Sequence, residues 1–195
     1  MSHTVDRLTE IVTPPPSTGI EVDWEETAGA VGTALPADYV ELVERYGGGR
    51  FDEYLWLLEP DARSYYDLIE KVDDREGDLE DLWDGGEAKP AQLEVPGARA
   101  IAWAATDNGE YLYWLAHEGR SPEEWTVLVN EARGERWEHF EMGCAEFLLK
   151  SLIGEVRSEL LWSRYPADPH KFESSGLYPR RDDDDDEFDE DEDDE

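Results

Sequence analysis

Gly47, Gly48 and Gly49 follow a helical pattern in LPADYVELVERYGGGRF, and a glycine run of this kind can cradle a phosphate when a helix comes next. Here the next residues, FDEYLWLLEP, have the character of a strand. No Lys-Ser or Lys-Thr pair stands at the spacing of a phosphate-binding loop. The glycines therefore read as a structural turn. A helix ending on Tyr46 needs a left-handed residue at Gly47 or Gly48, where a Cβ would cost about 1 to 2 kcal/mol. The remaining reactive side chains form no constellation. His3, His117, His139 and His170 are scattered, and with the single Cys144 they offer no zinc-type spacing. There is no Gly-x-Ser-x-Gly elbow. With 51 acidic residues among 195, paired carboxylates arise by chance. No enzyme activity, metal or cofactor is predicted.

Charge is the most unusual property of the chain. The 51 Asp and Glu stand against 17 Lys and Arg, for a net charge of −34. In the last stretch, DDDDDEFDEDEDDE (182–195), every residue except Phe188 is acidic, and removing those 13 charges still leaves −21 on residues 1–181. The body is itself acidic. Such a surface repels nucleic acid and anionic lipid and attracts cationic partners. General solubility, as in a salt-rich cytosol, is the competing explanation. No signal-peptide run or membrane-length apolar stretch is seen, so a cytoplasmic protein is expected. Cys144 lies in an apolar helical stretch and reads as a buried thiol.

Four segments follow from periodicity. Residues 1–22 carry a short amphipathic helix, TVDRLTEIV, and a Pro-rich linker. Residues 23–156 form one α+β domain, with an antiparallel sheet of about four to six strands packed on helices. Within it, Asp23 and Glu26 resemble a capping box for a helix at 24–32, and Pro36 opens the next helix, on which Tyr39, Val43 and Tyr46 share a face. An acidic helix is predicted at about 63–84. Strands are predicted at 100–106, 110–116, 124–132 and 137–141, and an apolar helix at 144–156. Asp107-Asn108-Gly109 supplies a tight hairpin turn, with Asn108 and Gly109 tolerating positive φ. Residues 157–181 suggest a wrapping extension, and 182–195 a disordered acidic tail.

Leu35-Pro36, Asp38-Tyr39, Tyr46 with its glycines, a following strand with LLEP, a tryptophan-bearing Asp-Asn-Gly hairpin and a late FLLKSLI helix together resemble the SUKH superfamily. That group contains bacterial immunity proteins of polymorphic toxin systems and fungal cell-wall regulators. The similarity covers residues 24–156. Members commonly have Asn-Gly-Gly where this chain has Gly47-Gly48-Gly49, which removes a side chain able to bond the turn. The chain reads as a non-catalytic, monomeric binding module, and the resemblance implies that its partner is a toxin. The charge suggests a cationic nuclease, with carboxylates occupying its phosphate groove and steering association. A regulatory scaffold without a toxin partner is the rival reading.

The contact residues expected for such a partner are Asp52 and Glu53, then Asp73, Asp74, Glu76, Asp78, Glu80, Asp81 and Asp84 on the acidic helix, and finally Glu123, Glu124 and Trp125. Trp103, Trp114 and Trp125 fall in strand-like runs. Burial in the core is the simpler expectation for all three, and exposure of Trp125 would mark a binding hot spot.

Overall fold

The computed structural model of the protein describes residues 3–19, 21–60, 65–131 and 135–177, so the acidic tail expected at 182–195 lies outside the described residues. Within them the chain is α+β, with five α-helices and one antiparallel sheet of seven strands. The helices are α1 (His3–Ile11), α2 (Trp24–Val31), α3 (Ala37–Tyr46), α4 (Leu68–Asp84) and α5 (Cys144–Leu152). The strands are β1 (Gly49–Phe51), β2 (Leu55–Leu57), β3 (Ala98–Thr106), β4 (Tyr111–His117), β5 (Thr126–Asn130), β6 (Trp137–Phe140) and β7 (Phe172–Ser174).

Local chemistry explains most of the boundaries. The Asp23 carboxylate accepts hydrogen bonds from Glu25 N and Glu26 N at 3.0 and 2.9 Å and starts α2, and Gly32 ends it at φ 78°. Asp67 caps α4 by accepting from Glu70 N at 2.9 Å, so this helix begins at Leu68, later than the expected start near 63. Pro122–Glu124 forms a 3₁₀ turn, which shortens the strand expected at 124–132 to β5. In the β3–β4 hairpin, Gly109 N donates to Thr106 O at 3.1 Å and Gly109 takes φ 96°. That is a three-residue loop closed by a left-handed glycine.

The sheet runs β6-β5-β4-β3-β2-β1-β7, a meander whose last strand returns beside β1. Two features raise the strand number above the expected range. The stretch after the glycines is two strands, β1 and β2, folded on a tight turn at Asp52 and Glu53. The C-terminal extension contributes β7, whose Glu173 pairs with Arg50. Neighbouring residues on β4 point to opposite faces. Tyr113 receives a 3.1 Å hydrogen bond from Arg75 of α4, and the ring of Trp114 meets that of Tyr39 on α3, centroids 4.8 Å apart. The sheet therefore lies between α4 and the group formed by α1, α3 and α5. Val5, Leu8 and Val12 are fully buried, so the N-terminal helix is part of the core.

Candidate functional site

The structure divides the predicted contact residues among three places. Seven of them lie on α4, whose inner positions Leu68, Val72 and Leu79 are buried against the sheet and turn the acidic positions outward. Three are drawn into ion pairs: Asp74 with Lys71 at 3.2 Å, Asp78 with Arg75 at 2.6 Å and Glu76 with Arg99 at 2.6 Å. Asp73, Glu80 and Asp84 have no ion-pair partner among the described residues and are exposed. Their spacing places them on one helical face, along about 16 Å of axis. Asp81 is exposed beside them. Gly77 sits between Asp73 and Glu80, with open space around it.

Asp52 is not a surface residue. Its side chain is 0% exposed and ties down the C-terminal extension, accepting from Ala167 N at 3.0 Å, from Lys171 N at 2.8 Å and facing His170 Nδ1 at 2.8 Å. The expected partner contact is an internal anchor. Trp125 is likewise 5% exposed and packs near Trp114, ring centroids 6.2 Å apart, which corrects the hot-spot reading. Glu123 and Glu124 remain exposed on the 3₁₀ turn, far along the chain from α4. A hydrogen bond from the Ser121 hydroxyl holds the Glu123 carboxyl below its usual range. Glu53 is exposed at the β1–β2 turn.

The glycines have separate roles. Gly47 closes α3, donating to Val43 O at 2.7 Å, and takes φ 68° with ψ −171°, a region open essentially to glycine alone. This differs from the left-handed conformation expected there. Gly48 has no positive φ. Its N–H donates to the Glu59 carboxylate, and a Cβ at Gly48 would overlap that carboxylate. A Cβ at Gly49 would collide with the Glu173 carbonyl on β7. The triple glycine thus lets a buried acid and a neighbouring strand approach the backbone.

Glu59, buried in the LLEP motif, also accepts from Ser175 Oγ at 2.7 Å. Glu110 is buried too, accepting from Tyr54 Oη at 3.0 Å and from the Thr106 hydroxyl. Neither role was read from the sequence. An acid inside an apolar run such as Leu57-Leu58-Glu59-Pro60 is the one available signal, since buried carboxylates require donors.

A cleft of about 590 Å³ opens where the β1–β2 and β3–β4 turns meet the segment 162–171. Its aromatic wall is Tyr54, Tyr165 and Trp162, with Tyr54 centroids 5.2 and 5.9 Å from the other two rings. Tyr54 Oη accepts from Trp162 N at 2.8 Å while donating to Glu110, and burial pushes the Tyr54 phenol up to about 12. Among the described residues no cluster of His, Cys, Asp or Glu is arranged to hold a metal ion. Burial and the nearby Asp38 carboxylate push the Cys144 thiol well up, so it is a poor nucleophile at neutral pH. Among the described residues no helix is long and apolar enough to cross a membrane. No family model, no curated protein and no solved structure matches this chain.

Proposed function

We propose that the protein is a non-catalytic binding module that neutralises a cationic partner, foremost a nuclease-type toxin, by covering its active site. The observation that supports this is the outward face of α4. A rigid helix, anchored on the sheet, presents Asp73, Glu80 and Asp84 in line, with no ion-pair partner among the described residues. A row of fixed carboxylates competes for the basic residues that would hold a phosphodiester backbone, and it steers their approach from a distance. The resemblance to immunity proteins points the same way. It carries the toxin identity of the partner, whereas the helix carries only its charge.

Co-expression with a cationic nuclease domain encoded beside this chain tests the proposal. The expected outcome is rescue of growth, a one-to-one complex in sedimentation and loss of nuclease activity in the purified complex. Absence of both rescue and complex overturns it. A complex that leaves the nuclease fully active would instead favour a scaffold.

A further inference from the structure

We infer that the cleft at the hairpin tips receives a guanidinium side chain presented by the basic partner, an assignment that rests on the cationic partner proposed above. Four observations converge there. Trp162 lines the cleft and is 46% exposed, and its backbone N–H donates to the Tyr54 hydroxyl, which ties this part of the chain to the cleft wall. The guanidinium of Arg164 already lies 5.7 Å from the Trp162 ring centroid, an internal example of the contact. Glu53 and Asp168 line the cleft and have no ion-pair partner among the described residues. Tyr165 also lines the cleft, only 7% exposed, with its hydroxyl buried and without a hydrogen-bond partner among the described residues.

Backbone conformation adds a fifth. Asp52 and Glu53 both take positive φ, 51° and 56°, in a turn usually built from Asn-Gly or Asp-Gly. The carboxylate of Asp52 secures its own position through the extension, but Glu53 has no such internal reward. Non-glycine residues held in this region concentrate at binding and catalytic sites. Here the strained residue places a carboxylate at the rim of an aromatic cleft whose volume, about 590 Å³, falls within the size range of small-ligand pockets. Arg164 and Lys171 also line the cleft. The indole face, the free carboxylates and the net charge of −34 nonetheless select a cation over an anion. Arg164 is then a competitor for the site.

The test titrates the full-length protein with N-acetyl-L-arginine amide and follows the backbone amides of 52–54 and 162–171 by NMR, with the Trp162 indole N–H as a second reporter in variants that keep it. The expected result is a saturable shift, weakened about tenfold for the neutral citrulline analogue and absent in Trp162→Ala. Arg164→Ala should tighten the arginine probe, because it removes a competing cation. Glu53→Gln with Asp168→Asn should weaken it several-fold, and changes to Asp73, Glu80 and Asp84 should leave it unaltered. Melting curves on each variant establish that it is folded. Trp162→Phe, which retains a ring, should keep part of the binding. No saturable shift, equal binding of citrulline, or preference for N-acetyl-glutamate amide overturns the inference. If the arginine probe fails while a basic protein still binds through α4, the cleft assignment falls and the proposed function stands. If the probe binds and no cationic protein does, the cationic-partner reading falls, and with it the role of the cleft in that partnership.

Discussion

The carboxylates on the outer face of α4 and those beneath the hairpin turns are the same chemical group in opposite settings. Asp73, Glu80 and Asp84 are exposed and have no ion-pair partner among the described residues. Asp52, Glu59 and Glu110 are buried, and each is met by backbone N–H or hydroxyl donors rather than by Lys or Arg. Such donors offset the cost of removing a carboxylate from water and fix its geometry. The difference teaches that an acidic composition conceals two populations. One shapes a surface field, and the other closes loops that would otherwise be held only by weak contacts. Removing a buried acid should unfold the C-terminal extension, whereas removing an exposed one should alter only what the surface attracts.

Asp52→Ala should have the largest effect. It leaves Ala167 N–H and Lys171 N–H without their acceptor and His170 without its partner. Leaving a buried donor without its acceptor costs about 1 to 3 kcal/mol, and two backbone donors are affected here. Urea denaturation should show that loss, and limited proteolysis should show early cleavage within 162–171. Unchanged stability would mean that the extension is held by its aromatic packing alone.

Gly48→Ala comes next. The added methyl group overlaps the Glu59 carboxylate, and overpacking in a buried site costs about 1 to 3 kcal/mol. The double variant Gly48→Ala with Glu59→Ala sharpens the comparison. If the clash is the main cost, the two losses should fall well short of additive in a denaturation cycle. Full additivity would show that Gly48 matters for its backbone and not for its neighbour.

Alkali should then probe the aromatic network around the buried acids. Burial raises the Tyr54 and Tyr66 phenols to about 12, and those of Tyr39 and Tyr165 also rise well above the ordinary value. Unfolded tyrosine titrates near 10, so the folded state holds the proton more tightly. The corresponding stability is fully present below about pH 10 and is lost as pH climbs through 12, by about 1 to 2 kcal/mol for Tyr54 alone. Tyrosinate absorbance should rise together with unfolding. Ionisation of all nine tyrosines near pH 10 in a folded protein would contradict the burial.

Much of this architecture was legible because it is local. Tyr39, Val43 and Tyr46 repeat at helical spacing, Asp23 and Gly32 punctuate α2, and Asp107-Asn108-Gly109 announces its hairpin. The α4 stripe was also visible, as a run of acids in a helical pattern. The β1–β2 turn was hidden because Asp52-Glu53 carries no glycine, so its positive φ values had no marker. β7 is three residues long and is defined by pairing with a strand more than a hundred residues earlier. The burial of Asp52 depends on His170 and Lys171, 118 and 119 positions away. The cleft escaped notice for the same reason, since Tyr54 and Trp162 are brought together only by the folded extension.

The smallest effect on stability should accompany the largest change in attraction. Replacing Asp73 and Asp84 by Asn and Glu80 by Gln removes three exposed charges that make no ion pair among the described residues. Surface changes of this kind fall within about 0.5 kcal/mol, and Glu80 and Asp84, four apart on one helix, repel each other in the native protein. A slight gain in stability is therefore the expected sign. Association with a short polylysine peptide, followed by stopped flow, should nonetheless slow in the triple variant. The gap from wild type should close as salt rises, because exposed charges are screened beyond about 8 Å at physiological ionic strength. Neutralising Glu123 and Glu124, which lie on a different element, provides the control for charge number against charge placement. If that pair slows association as much per charge as the α4 triple does, the field is diffuse and α4 has no special standing. If only the α4 changes matter, the line of carboxylates on this helix is the surface that a cationic partner meets first.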